Sequence, residues 1–129
     1  MRALLDTHAL IWMACEPDRL GSLAHKVILN TQTRLYVSMA SFWELAIKLS
    51  LGKLELQDVT LDDLRAYAFQ NSIQMLPISY LDCKHVIDLP FYHRDPFDRL
   101  LISQAMLGGL KIISKDMHFD KYDVQTVWS

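Results

Sequence analysis

The chain has 129 residues, a length that favours one domain built around a single hydrophobic core. Its composition, 51% hydrophobic and 22% charged, is typical of a soluble globular protein and excludes an intrinsically disordered chain. The formal net charge of −2 argues against a broadly basic nucleic-acid-binding surface, but it allows a nucleic-acid enzyme whose acidic site is covered by bound cations.

The cysteines and the N-terminus indicate the cellular compartment. Cys15 and Cys83 form neither a zinc-binding spacing nor a disulfide framework, and we expect them to be reduced thiols. The apolar N-terminal stretch is interrupted by Asp6 and His8, which argues against a signal peptide. No apolar run approaches the roughly 18 residues that a transmembrane helix requires. We therefore expect a cytoplasmic protein without a membrane anchor.

The first part of the chain predicts, in order, a buried strand RALLD ending at Asp6, a helix THALIWMA, a break EPDRLG, a helix SLAHKVILN and a strand RLYVS. Ser22 is a candidate cap for the second of these helices. A third helix follows RLYVS, with Ser41 as its candidate cap and Gly52 at its end. Its apolar residues repeat with helical spacing at Phe42, Leu45, Ile47 and Leu49.

The second part of the chain predicts a helix TLDDLRAYAFQN, a strand IQMLPIS, a short helix YLDCKHVIDL, a helix that begins in HRDPFDRLLISQA and ends at LGG, and strands KIIS and VQTVWS. Thr60 and Asp63 have the spacing of a capping box. Strands that alternate with helices predict parallel βαβ units and a sheet covered on both faces. We expect one domain over residues 1–129, with no internal repeat or linker.

Four acidic residues fall at corresponding places in this order. One ends the first strand, one lies in the first turn of the helix after RLYVS, one opens the helix after HRDP and one follows KIIS: Asp6, Glu44, Asp98 and Asp116. Ligands of such folds bind beyond the carboxyl ends of the strands, so we expect these acids to converge there. Clustered like charges require a cation, and oxygen donors favour Mg²⁺ or Mn²⁺. Singly, each acid is explained at least as well as a cap or loop residue.

The stretch HRDPFDRLLISQA places Asp95 and Asp98 three residues apart at the start of an apolar helix. One acid near a helix start is ordinary, because it caps backbone N–H groups and suits the helix dipole. We expect Asp95 to shape the turn and Asp98 to face the metal. A supporting role for Asp95 beside the site is the alternative.

Other polar residues near these positions have two interpretations each. Thr7 and Ser38 either hydrogen-bond a metal ligand or cap a helix, and Asp120 is either an outer acid of the site or a turn residue. The histidines show no metal-ligand or Ser–His–Asp spacing, so surface or packed positions are expected for His8, His25, His85, His93 and His118. Core or dimer-surface positions, rather than base-stacking ones, are expected for the aromatic residues Trp12, Phe42 and Trp43.

Four stretches occur in one order along the whole chain: LLDTHALIW, SFWELAIKLSLGKL, HRDPFDRLLISQA and ISKDMHFDKY. Together they strongly resemble the PIN-domain family, specifically the VapC-like toxins of type II toxin–antitoxin operons. The resemblance implies a three-layer α/β/α fold with a central, mainly parallel β-sheet. It also implies an endoribonuclease dependent on Mg²⁺ or Mn²⁺, whose acidic quartet matches Asp6, Glu44, Asp98 and Asp116.

The same resemblance implies partners and a reaction. The substrate would be RNA, such as a tRNA or another structured RNA, a cognate antitoxin would block the enzyme, and the toxin would form a homodimer. The metal would activate water for attack on the phosphodiester bond. Candidate contacts to RNA phosphates, each also explained as solvated surface charge, are Lys48, Lys53, Arg94, Arg99 and Lys115.

Two other function classes remain alternatives. Another α/β metal-dependent phosphate hydrolase or a receiver domain is disfavoured, because His8 occupies the place of a second acid after the first strand and no adjacent acid pair precedes Asp6. A non-catalytic PIN-like module that only binds protein or RNA is disfavoured by the complete acidic quartet.

Overall fold

The computed structural model describes residues 1–54, 56 and 58–129. In chain order its elements are β1 (Arg2–Leu5), α1 (Thr7–Cys15), a 3₁₀ helix (Pro17–Arg19), α2 (Ser22–Leu29), β2 (Arg34–Ser38), α3 (Met39–Ser50), α4 (Leu61–Gln70), β3 (Gln74–Leu76), α5 (Tyr80–His85), a 3₁₀ helix (Val86–Asp88), α6 (Pro96–Gly108), β4 (Lys111–Ile113), a 3₁₀ helix (Met117–Lys121) and β5 (Thr126–Val127).

Within the described residues, five strands form one sheet in the order β3-β2-β1-β4-β5. All pairs are parallel, as predicted, and Leu5 at the end of β1 is in register with Val37 of β2 and Ile113 of β4. The chain winds outward from β1 through β2 to β3 and then returns to β4 on the other side of β1. The strand order therefore reverses between β1 and β4, and a crevice for ligands is expected beyond their carboxyl ends.

Successive strand residues face opposite sides of the sheet, and each side is covered by helices. Ala3 and Leu5 point into a core with apolar residues of α1, α2, α3 and α4. Leu4, between them, points into a second core with Leu101 and Ile102 of α6. The fold is thus the predicted α/β/α arrangement of three layers.

The start of α2 differs from its predicted form. The helix begins at Ser22 itself, and Gly21 is the N-cap, so the prediction that Ser22 caps the helix is wrong. A Cβ atom at Gly21 would lie 2.2 Å from the carbonyl oxygen of Trp128, and that same oxygen accepts a hydrogen bond from Ala24. The close approach of the C-terminal segment therefore requires glycine at this cap.

The start of α3 also differs. Ser38, the last residue of β2, is the N-cap and accepts a hydrogen bond from the Ala40 N–H, so the prediction that Ser41 is the cap is wrong. Ser41 lies buried inside the helix. The chain enters α3 directly from the strand, and the helix consequently begins two residues before Ser41.

Two other local predictions are confirmed, and the predicted length of β3 is corrected. Thr60 and Asp63 form the reciprocal capping box of α4. The helix α6 ends before Gly109, whose φ of 64° is the left-handed conformation that favours glycine at this position. The strand β3 is shorter than predicted and ends before Pro77, which has no N–H to donate to a neighbouring strand.

Cys15 and Cys83 are exposed, unpaired thiols. Over the described part of the chain, none of the helices combines the length and the apolar character needed to cross a membrane.

Candidate active site

Asp6 lies directly after β1, at the point where the strand order reverses. It caps α1 by accepting a hydrogen bond from the Ala9 N–H (2.7 Å), and its own N–H donates to the Ile113 carbonyl at the end of β4 (3.1 Å). Its side chain is only 6% exposed. Burial raises the pKa of Asp6 despite a hydrogen bond to Ser114, and the charge of Asp116 contributes to the rise.

Glu44 is buried on α3 and both of its carboxylate oxygens are engaged. Thr7 Oγ1 donates to Oε1 (2.7 Å), and the Lys48 ammonium donates to Oε2 (2.6 Å). Because α3 begins at Met39, Glu44 lies in the second turn and not in the predicted first turn. The helix nevertheless directs this carboxylate towards the start of α1.

Asp95 and Asp98 have the different structural roles that were expected at the start of α6. Asp95 is the N-cap, and its Oδ1 accepts from the N–H groups of Phe97 and Asp98, each at 2.9 Å. The Asp98 carboxylate instead contacts Nε2 of His93 at 2.7 Å. Burial first, and then the charges of Asp95 and Glu44, raise the pKa of Asp98 to about 6, against the opposing hydrogen bond and charge of His93.

Asp116 follows β4 and caps the 3₁₀ helix Met117–Lys121. Its Oδ1 accepts from the His118 N–H (2.9 Å) and contacts His118 Nδ1 (2.8 Å). Burial alone would raise the pKa of Asp116, but the hydrogen bonds and charge of His118, with the charge of His93, lower it overall.

His93 and His118 stack in parallel between these two acids, with ring centroids 4.8 Å apart. Sequence reasoning missed both histidines, because neither has a recognisable ligand spacing. The only local signal is that each lies within five residues of a predicted acid. One ligand atom each from His93, Asp98 and Asp116 lies within 4.8 Å of the others, a spacing close to that of a metal site.

The structure brings the quartet to one edge of the sheet but does not bring all four carboxylates within ligand distance. Among the described residues, the group that could hold an ion contains Asp98 and Asp116, whereas Asp6 and Glu44 lie outside it. The charge of Asp116 nevertheless acts on Asp6, and that of Glu44 acts on Asp98. The four acids therefore share one electrostatic environment.

The neighbouring polar residues separate into different roles. Thr7 hydrogen-bonds Glu44 and Ser41, which favours the first of its two interpretations, the support of an acid of the site. Ser38 caps α3, the alternative interpretation of this residue. Asp120 lies in the 3₁₀ helix Met117–Lys121 and accepts from the Thr126 hydroxyl at the beginning of β5, which favours the local structural interpretation of this residue over an outer acid of the site.

Two of the candidate phosphate contacts are already engaged within the protein. Arg99 is only 4% exposed and donates to backbone carbonyls, so the prediction that it contacts RNA phosphate is wrong. The Lys48 ammonium is paired with Glu44. Lys53, Arg94 and Lys115 are exposed.

The donor set suits a divalent cation. Burial raises the pKa values of Asp6 and Asp98, as expected where carboxylates gather without a counter-charge, and a bound cation would relieve that cost. Asp98 and Asp116 supply oxygen donors at nearly suitable spacing, and His93 adds a nitrogen donor.

Comparison with known proteins identifies the family. The chain is 29% identical over 114 residues to Ribonuclease VapC22 of Mycobacterium tuberculosis, covering 88% of this chain and 85% of that protein. Its fold resembles chains in two solved structures: VapBC2 from Rickettsia felis bound to a promoter DNA fragment (TM-score 0.72, 11% identity, 100% of both chains) and VapBC-1 from nontypeable Haemophilus influenzae (TM-score 0.60, 19% identity, 98% of this chain and 96% of that one). The PIN domain family model matches residues 3–125, and the chain therefore belongs to the PIN domain family.

Proposed function

We propose that this protein is a cytoplasmic, metal-dependent endoribonuclease and the toxin of a VapBC-type toxin–antitoxin pair. The observation that carries the proposal is the group of Asp98, Asp116 and His93 at the carboxyl edge of a PIN domain. The similarity to a protein named Ribonuclease VapC22 supports RNA as the substrate.

Asp98 and Asp116 would hold Mg²⁺ or Mn²⁺, and Asp6 and Glu44 would complete the site. When bound, the cation supplies the charge that lowers the pKa of an attacking water and offsets charge on the phosphodiester oxygens. Thr7 and Lys48 fix the orientation of the Glu44 carboxylate, because each donates to a different oxygen. Asp95 fixes the first turn of α6 and with it the position of Asp98.

The protein surface near the site supports an RNA-binding role. Arg94 follows His93 and Lys115 precedes Asp116, so each exposed cation lies one residue from a member of the site. We assign phosphate contacts to Arg94, Lys115 and Lys53, since Coulomb attraction positions a nucleic-acid backbone without reading its sequence.

An antitoxin protein is the proposed partner, because solved structures of similar fold include two that are named VapBC and one that is named a toxin–antitoxin complex. We also propose that the chain forms a homodimer through an apolar surface around Trp43. This ring is 59% exposed and is held edge-on by Phe97 at a centroid distance of 5.9 Å.

A cleavage assay on total cellular RNA tests the enzyme. Purified wild type should give discrete fragments with Mg²⁺ or Mn²⁺ and none with EDTA. Asp98→Asn removes the charge and keeps the shape, and we expect a rate loss of at least about a hundredfold, since loss of a second-shell residue alone typically costs 10- to 100-fold.

The matched control is Asp18→Asn, an exposed acid in the 3₁₀ helix Pro17–Arg19, which should cleave at the wild-type rate. Full cleavage by Asp98→Asn, or cleavage in EDTA, would contradict the metal-dependent mechanism. Intact RNA bound by folded, antitoxin-free wild type would instead favour a non-catalytic binding module.

A further inference from the structure

The loop before α6 places a nitrogen donor among the acids of the site. Nε2 of His93 lies 2.7 Å from Oδ2 of Asp98. One ligand atom each of His93, Asp98 and Asp116 lies within 4.8 Å of the others. For ligand bonds of about 2.1 Å, adjacent donors around an octahedral ion lie roughly 3 Å apart and opposite donors roughly 4.2 Å apart. The three donor atoms therefore need only a small contraction to surround one ion.

The position of His93 is fixed by contacts of its backbone. Its N–H donates to the Tyr122 hydroxyl (2.9 Å), and its carbonyl accepts from the Arg99 guanidinium (3.3 Å). Arg99 is buried and also donates to the carbonyls of Leu89 and Pro90. The segment that precedes α6 is therefore held in place by Arg99, the neighbour of Asp98 in the helix. The imidazole is consequently held beside Asp98 before any ion binds.

His118 differs from His93 in a way that matters for ligation. Its side chain is 53% exposed, and its Nδ1 contacts the Asp116 oxygen that also accepts the His118 N–H. This arrangement suits a residue that orients Asp116. The side chain of His93 is 20% exposed, its Nε2 contacts Asp98, and the residue offers a ligand atom within 4.8 Å of one from Asp98 and one from Asp116.

We propose that His93 is itself a ligand of the divalent cation, so that this chain has a mixed nitrogen–oxygen site and binds Mn²⁺ and later first-row transition ions in preference to Mg²⁺. The inference rests on the proposed function only for the presence of a metal site. His93 Nε2 can bind a cation only through its lone pair, so a proton shared between Nε2 and Asp98 Oδ2 would be released to solvent when a cation is bound.

The chemistry of the donor predicts this selectivity. Mg²⁺ prefers oxygen ligands and gives up its water reluctantly, whereas imidazole suits transition metals. At a site containing nitrogen, affinity rises from Mn²⁺ to Co²⁺ to Ni²⁺. His93→Gln replaces the nitrogen donor with an amide oxygen at a similar distance from the backbone. The variant should therefore weaken the binding of transition-metal ions and leave the binding of Mg²⁺ nearly unchanged.

Calorimetric titration of the EDTA-treated, dialysed protein tests the proposal without RNA. Mg²⁺, Mn²⁺ and Co²⁺ are titrated separately into wild type, His93→Gln and the control His25→Gln, an exposed histidine on α2. Wild type should bind Mn²⁺ at least about tenfold more tightly than Mg²⁺, and Co²⁺ more tightly still. His93→Gln should lower the ratio of Mn²⁺ to Mg²⁺ affinity by about tenfold and flatten the series, whereas His25→Gln should keep the wild-type ratio.

If His93→Gln lowered the affinity for all three ions equally, the proposal would be overturned, because His93 would then only position Asp98. The proposal would also be overturned if His93→Gln kept the wild-type ratios of affinity for the three ions. It would be overturned as well if the folded wild type bound none of them. Ion selectivity with no RNA cleavage would support the ligand assignment and contradict only the proposed nuclease activity.

Discussion

At the scale of single residues, Arg99 shows how neighbouring positions on one helix acquire opposite roles. Asp98 faces the site, whereas Arg99, one residue later, points into the protein. There it donates to the carbonyls of Val86, Leu89 and Pro90 and lies over the Phe91 ring. These carbonyls belong to a segment with little regular structure, so the guanidinium replaces the partners that a helix or sheet would provide. Arg99 is a structural residue.

Replacing Arg99 with methionine should therefore destabilise the fold. Several carbonyls would lose one of their donors and the Leu89 carbonyl would lose the guanidinium, so we expect a loss of about 3 kcal/mol in the free energy of unfolding, measured by urea denaturation. The control Arg94→Met alters an exposed arginine and should change stability by less than about 0.5 kcal/mol. Similar stability of the two variants would show that the Arg99 contacts are unimportant.

At the scale of elements, the start of α6 explains why two aspartates lie three residues apart. Asp95 closes the first turn, Pro96 occupies the first helical position, and Asp98 is left to face the site. This division could be predicted from the sequence because capping depends on residues within one turn. The caps of α2 and α3 could not be predicted in this way. The cap of α2 depends on the close approach of Trp128, and the cap of α3 depends on the direct passage of the chain from β2 into the helix.

Variants of Asp95 separate its capping role from a catalytic one. Asp95→Ala should lower stability by about 1 kcal/mol, because it removes the acceptor of two N–H groups, whereas Asp95→Asn keeps an acceptor and should stay near the wild-type value. Thermal unfolding measures this difference. Asp95→Asn should also keep most RNA cleavage; complete loss of activity with intact folding would make Asp95 a member of the site.

At the scale of the whole molecule, the acidic edge carries a stability cost in the absence of metal. The fold buries Asp6 and Asp98 at the carboxyl ends of the strands, and burial raises the pKa of both carboxyl groups. A carboxyl group with a higher pKa in the folded chain binds its proton more tightly there. Its contribution to stability is therefore complete below its ordinary pKa of 3.8 and is lost as the pH rises through about 6 for Asp98.

The metal-free protein should accordingly lose stability between pH 5 and pH 7.5. We expect Asp98 to contribute about 1 kcal/mol to this loss, measured by urea denaturation in EDTA. Asp98→Asn should reduce the pH dependence, and adding Mn²⁺ at pH 7.5 should restore stability to wild type but not to the variant. If the free energy of unfolding of the wild type depended on pH as weakly as that of Asp98→Asn, the raised pKa of Asp98 would be contradicted.

The alternation of strands and helices, the parallel sheet, the α4 capping box and the capping role of Asp95 could all be predicted from the sequence. These features depend on periodicity and on contacts within one or two turns, which neighbouring residues specify. The stacking of His93 and His118 beside the acids, the burial of Arg99 and the hydrogen bond of Asp120 with Thr126 could be seen only in the folded chain. Each of these depends on loops that pack against one another across distant parts of the chain, where local residue spacing carries no information about which side chains meet.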